Sequence, residues 1–127
     1  MLRATPMPNV LQTTCGGAEG SEAQSRPDAL YSAAVMAWRE RRRDEAVMLM
    51  DEALRLKPDF ARGLCMGGYM LSECGKPAAA MRFYRRALEL DASLVVAHVN
   101  FGKLLFGAGR FAEAVASFTA ATALAPP

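Results

Sequence analysis

The sequence predicts an all-α protein, a short α-solenoid of three stacked helix-turn-helix repeats. Three observations carry that expectation. Residues 27–127 repeat at a period of 34 with no insertion. Alanines recur in register at Ala46, Ala80 and Ala114 and again at Ala53, Ala87 and Ala121, with Met50, Tyr84 and Phe118 between them. Leu56, Leu90 and Leu124 close the units, and Pro58 and Pro126 follow two residues later, with Ala92 in that place in the middle unit. A period of this length belongs to stacked supersecondary units, each too small to bury its apolar face alone.

Residues 1–26 carry Pro6, Pro8, Gly16, Gly17 and Gly20 among Ser, Thr and Gln, and read as a flexible leader. The repeats then occupy 27–60, 61–94 and 95–127, the third one residue short of a period. In the second unit, helix A is predicted over 61–73 and helix B over 77–90. Gly75 supplies the turn between them, and Pro77 suits a first helical turn because its missing N–H costs nothing there. In the third unit Gly107 and Gly109 make the turn and helix B follows over 111–124. The first unit has Arg41 and Arg42 at its turn, a weaker stop signal, so its first helix is expected to end raggedly. Lys57-Pro58-Asp59 breaks the chain between units, since proline cannot continue a helix. Asp91-Ala92-Ser93 does so without proline, with Ser93 expected to cap the next helix.

The recurring small residues have a packing reason. Helices at 8–10 Å need short side chains where their axes come closest. Ala34, Gly68 and Gly102 on the A helices meet that need, as do Ala46, Ala80 and Ala114 on the B helices. Leu30, Leu64, Leu71, Leu105, Tyr84 and Phe118 are the expected fillers of the remaining space.

Composition excludes more than it assigns. The net charge of +2 gives no reason to expect a nucleic-acid partner. The one dense basic cluster, Arg39, Arg41, Arg42 and Arg43, is interrupted by Glu40 and followed by Asp44 and Glu45, which favours a solvated face. Three cysteines, Cys15, Cys65 and Cys74, form no disulfide framework, and reduced thiols point to a cytoplasmic setting. The N-terminal stretch lacks the apolar run of a secretory signal, and no segment is long and apolar enough to insert in a membrane. Catalytic groups are scarce. His98, the one histidine, sits where the repeat buries a bulky residue, so core packing is favoured. No zinc spacing and no phosphate-binding glycine loop occur, Gly67-Gly68 included, so no metal, cofactor or catalytic residue is expected.

The units resemble tetratricopeptide repeats. The pattern W-x2-L-G-x2-Y, A-x3-F, P appears in the third unit as His98, Phe101-Gly102, Leu105, then Ala114, Phe118 and Pro126. In the second it is Leu64, Gly67-Gly68, Leu71, then Ala80 and Tyr84. In the first, the most divergent, it is Leu30, Ala33-Ala34, Ala37, then Ala46, Met50 and Pro58. The resemblance implies a right-handed superhelix whose A helices line a concave groove for a protein or peptide segment. The groove positions are then Asp28, Tyr31, Val35 and Trp38; Arg62, Cys65, Tyr69, Ser72 and Glu73; and Val96, Val99, Lys103 and Phe106. Tyr31, Trp38, Tyr69 and Phe106 would form an aromatic track, the kind of side chain that anchors partners. The family's carboxylate clamp for chaperone tails wants basic residues and asparagines where Tyr31, Val35, Met66, Val96 and Asn100 stand, so that partner class is not expected. Asn100 fits either a partner's backbone or an internal helix–helix bond. The expected function is a non-catalytic scaffold or adaptor. The alternatives are a structural module self-associating through the third repeat, whose helix B carries little charge after Glu113, or an accessory repeat domain of a larger enzyme.

Overall fold

The computed structural model describes residues 16–126, with side chains from residue 26 onward. Among the described residues six helices follow one another: α1 (Gly16–Arg39), α2 (Arg43–Leu56), α3 (Ala61–Glu73), α4 (Pro77–Leu90), α5 (Val95–Gly107) and α6 (Phe111–Leu124). No strand occurs among the described residues. Helices α1 and α2, α3 and α4, and α5 and α6 pack as hairpins, and α2 meets α3 as α4 meets α5. The result is three stacked helix-turn-helix units. Among the described residues no helix is long and apolar enough to cross a membrane.

The bounds of α3, α4 and α6 coincide with those read from the sequence. That of α1 does not. Residues 16–26, assigned to the leader, are helical, and α1 runs through Pro27 instead of starting there. The proline has no N–H to give, so the ladder loses one bond at that point. Residues 1–15 lie outside the described residues.

Each hairpin turns on the same device. The amide of Arg42 donates to the Ala37 carbonyl at 2.9 Å, that of Lys76 to Leu71 at 2.9 Å and that of Arg110 to Leu105 at 2.9 Å. One residue earlier, Arg41 donates to Trp38, Gly75 to Ser72 and Gly109 to Phe106. These two bonds define a Schellman ending, which requires a left-handed residue. Gly75 (φ 80°) and Gly109 (φ 81°) adopt it readily, and Arg41 adopts it with φ 66°. The first helix therefore ends as cleanly as the others, at a steric cost glycine would avoid.

The turns between repeats differ from one another. Where Pro58 is replaced by Ala92, side chains hold the chain instead. Asp91 Oδ1 accepts from the Ser93 amide at 3.0 Å and from its hydroxyl at 2.6 Å. His98 Nε2 donates to the Ala92 carbonyl at 2.8 Å. So Ser93 does not cap α5, whose N-cap is Leu94. Likewise His98 is half-buried and ties down the turn, where core packing was expected.

The small residues lie where close approach demands them. Ala34, Ala46 and Ala80 are fully buried and Ala114 is nearly so. A Cβ on Gly68 would stand 3.1 Å from the Tyr84 ring, and one on Gly102 only 2.8 Å from the Phe118 ring. In the first repeat Ala34 shares its core with Met50, a side chain that bends to make room. Tyr84, Met50, Met70 and Leu105 are the largest fully buried side chains. Phe118 is half-buried because its outer flank has no neighbour.

Two stability changes follow from this geometry. Arg41→Gly is expected to stabilise by about 0.5–1 kcal/mol, the left-handed penalty exceeding glycine's added chain entropy, seen as a rise of a few degrees in Tm. Gly102→Ala is expected to destabilise by about 1–3 kcal/mol through overpacking. Combined with Phe118→Met it should cost less than the two single changes summed, because the pair then matches Ala34 and Met50. A double-mutant cycle from urea unfolding measures that coupling.

Candidate functional site

Helices α1, α3 and α5 are the first of each hairpin, and they turn one face away from the B helices. On α1 the predicted groove residues Tyr31, Val35 and Trp38 are half-buried and Asp28 is exposed. On α3 Arg62, Tyr69 and Glu73 are exposed, while Cys65 and Ser72 are half-buried. On α5 Val96 is 62% exposed and Phe106 61%. Lys103 is also exposed there, and Val99 is half-buried.

Two clusters join α1 to α3 across this face. At one end Arg62 lies 3.6 Å from Asp28 and stacks over the Tyr31 ring at 5.2 Å. Tyr31 in turn packs on Phe60, with centroids 5.5 Å apart. At the other end Trp38 meets Tyr69 edge-on at 6.1 Å, with Arg43 over the indole at 4.6 Å. Phe106 belongs to neither cluster and pairs with Phe111 at 5.1 Å. The expected aromatic track is thus three separate pairs, and only Trp38–Tyr69 joins two of its members. Arg42, from the basic cluster, is held by Glu40 and Glu45.

The floor of this face is polar at one place. The Tyr84 ring passes alongside Gly68, and its hydroxyl is buried without a hydrogen-bond partner of good geometry. Cys65, Asn100, Tyr69 and Glu73 surround it. Burial is the main cause that pushes the phenol above its ordinary 10.0; the Asn100 side chain beside it works against the shift. The residues set there supply no metal site: among the described residues no group of three His, Cys, Asp or Glu could hold an ion.

Sequence reasoning missed two features. Phe60 is buried, 4% exposed, at the joint of the first two repeats. Its signal was present, since Leu94 stands one period later. The second is a cleft of about 590 Å³ on the opposite side, between α2, α3 and α4. Gly67 lies at its floor, where the third repeat has the buried Phe101. Val47, Met48, Leu54, Met70 and Phe83 line it, and Met48 is 70% exposed.

Comparison with known proteins bears on this arrangement. The tetratricopeptide repeat family model matches residues 61–94 and 95–127, more than half of the chain. The backbone is similar to MamA, with a TM-score of 0.73 and 19% identity over 79% of this chain and 58% of that one. It is similar to the first TPR domain of Spaghetti (RPAP3) bound to the HSP90 peptide SRMEEVD, with a TM-score of 0.76 and 18% identity over 80% of this chain and 81% of that one. A mutant O-GlcNAc transferase from Thermobaculum terrenum gives 0.76 at 28% identity, over 82% of this chain and 20% of that one. The chain thus spans less than two thirds of MamA and a fifth of the transferase. Comparison with curated proteins finds no match.

The thiol on this face has a testable character. Burial pushes Cys65 up from 9.0 to about 11, so it is a protonated thiol at neutral pH. In a Cys15→Ser/Cys74→Ser variant, iodoacetamide should label Cys65 about a hundredfold more slowly at pH 8 than an ordinary thiol, since only the thiolate reacts. The folded state holds this proton more tightly than the unfolded chain. Its contribution to stability is complete below pH 9.0 and is lost as the pH rises toward 11. Urea midpoints across that interval should fall less steeply in Cys65→Ala.

Proposed function

This chain belongs to the tetratricopeptide repeat family, whose repeats are protein-binding scaffolds and not catalytic centres, and we propose that the face of α1, α3 and α5 is a groove holding a peptide or helix of a partner protein. The observation that carries the proposal is the exposure of Tyr69, Val96 and Phe106 on that face. The hairpins are packed without burying them. Large apolar side chains left accessible along one face anchor partners.

The charge of the face argues for a neutral or apolar segment. The HSP90 peptide bound by Spaghetti ends in Glu-Glu-Val-Asp. Here Tyr31, Val35, Met66, Val96 and Asn100 stand at the clamp positions, and none is basic. Arg62 lies 3.6 Å from Asp28, whose charge balances its own. Specificity therefore comes from the Trp38–Tyr69 pair and the valines of α5, with Lys103 at the margin. A second reading, self-association through the third repeat, is favoured by Val115 and Leu124, which are 63% and 41% exposed on α6.

Selection from a displayed random-peptide library tests the groove. Peptides enriched on the wild type should bind at least tenfold more weakly, a loss of about 1.4 kcal/mol, to Tyr69→Ala/Val99→Asp. Met48→Ser, on the opposite side, should leave binding unchanged. Matched circular-dichroism melts establish that all three are folded. Enriched peptides indifferent to the groove substitutions would remove this proposal.

A further inference from the structure

The joints between repeats inside the chain specify what each end of the solenoid would accept. On α3 the positions packed against the preceding repeat are Gly63, Gly67 and Met70, all buried, Met70 to 1% exposure. One period later, on α5, they are Ala97 and Phe101, both buried, and the half-buried Leu104. One period earlier, on α1, they are Ala29, Ala33 and Met36. All three are exposed, Met36 to 51%.

The other half of each joint shows the same contrast. Leu54 on α2 reaches the α3 glycines: its side chain would stand 3.2 Å from a Cβ on Gly63. Leu88 holds the same place on α4 and packs into the core of the second and third repeats. On α6 the place is taken by Thr122, which is exposed. With Val115, Phe118, Thr119 and Ala123 it lines a shallow depression. Among the described residues, α1 and α6 thus expose the positions that two internal joints cover.

We propose that these ends are the two halves of one joint, and that a second copy of the chain docks its α1 on α6 of the first. The inference rests on the self-association reading and adds the face that answers the third repeat. Electrostatics permits the contact. No charged residue occurs from Ala29 to Ala37, nor on α6 after Glu113, so neutral faces meet without like-charge repulsion. Thr122 sets its strength. Its hydroxyl donates to the Phe118 carbonyl at 2.9 Å, where the internal joints have a leucine. Loss of that apolar anchor makes the contact between copies weaker than the joints within one, and reversible. The two faces differ, so the contact is head-to-tail. It leaves a free face at each end, so further copies add in the same way, without the two-copy limit of a symmetric contact.

Sedimentation velocity of the full chain tests this across micromolar to millimolar concentration. The wild type should gain mass continuously, with no plateau at a dimer. Met36→Glu blocks the α1 face and Val115→Asp the α6 face, so each variant alone should stay monomeric. Mixed in equal amounts they should form a dimer and nothing larger, through the intact α1 face of Val115→Asp and the intact α6 face of Met36→Glu. Both positions are exposed, and circular dichroism checks the fold; Ala33→Glu and Thr119→Glu serve as a second pair. A wild type that stays monomeric would overturn both the joint and the self-association reading. A Met36→Glu variant that assembles like the wild type, or a mixture that yields no dimer, would overturn the joint while leaving self-association in place.

Discussion

The contact on which this fold depends is the close approach of the two helices in each hairpin, where a small residue on one admits a large side chain from the other. The pairs are Ala34 with Met50, Gly68 with Tyr84 and Gly102 with Phe118, each sixteen residues apart. Where the partner is an aromatic ring, no Cβ is tolerated without movement, and glycine is present. Where the partner is a flexible methionine, alanine suffices. Glycine inside a helix costs about 1 kcal/mol relative to alanine. The ring inserted into the gap offsets that cost through its buried area. The fully buried alanines Ala46, Ala80, Ala53 and Ala87 keep the rest of each pair of axes close.

With the hairpins set, stacking follows from the side chains that project beyond them. Leu54 and Phe60 fill the first joint, and Leu88, Leu94 and Phe101 fill the second. The Arg85 guanidinium lies 5.5 Å over the Phe101 ring and covers it from solvent. The A helices are thereby brought side by side, and residues distant in sequence come together on one face: Asp28 with Arg62, and Trp38 with Tyr69. An exposed ion pair of this kind adds little stability. Here it sets the charge of Asp28 against that of Arg62 at that end of the face.

Much of this was legible because the repeat is written in register. Ala80, Gly68 and Pro77 each stand where a two-helix unit needs them, and the helix limits came out accordingly. The departures have particular causes. Arg41 takes a left-handed conformation because the Schellman bonds of the turn impose it, against the residue's own preference. Ser93 gives both its amide and its hydroxyl to Asp91 Oδ1, and α5 starts one residue too late for Ser93 to stand at its N-cap, which is Leu94. Helix α1 continues through Pro27, since a proline removes one hydrogen bond without forbidding the rest. The A-helix face was less legible. Identity at a groove position does not show whether an aromatic is spent on a neighbour, as Tyr31 is on Phe60, or left accessible, as Phe106 largely is.

The cleft above Gly67 marks an uneven distribution of side chains along the solenoid. Leu54, Phe60 and Met70 join the first and second repeats beside it, and the Phe83 ring lines it. The second and third repeats have the buried ring of Phe101 in the place of that glycine. A Cβ on Gly67 would stand 3.1 Å from the Phe83 ring. The indentation on this side of the solenoid is therefore tied to the glycine: a larger residue there would have to displace a ring before it could occupy the space above.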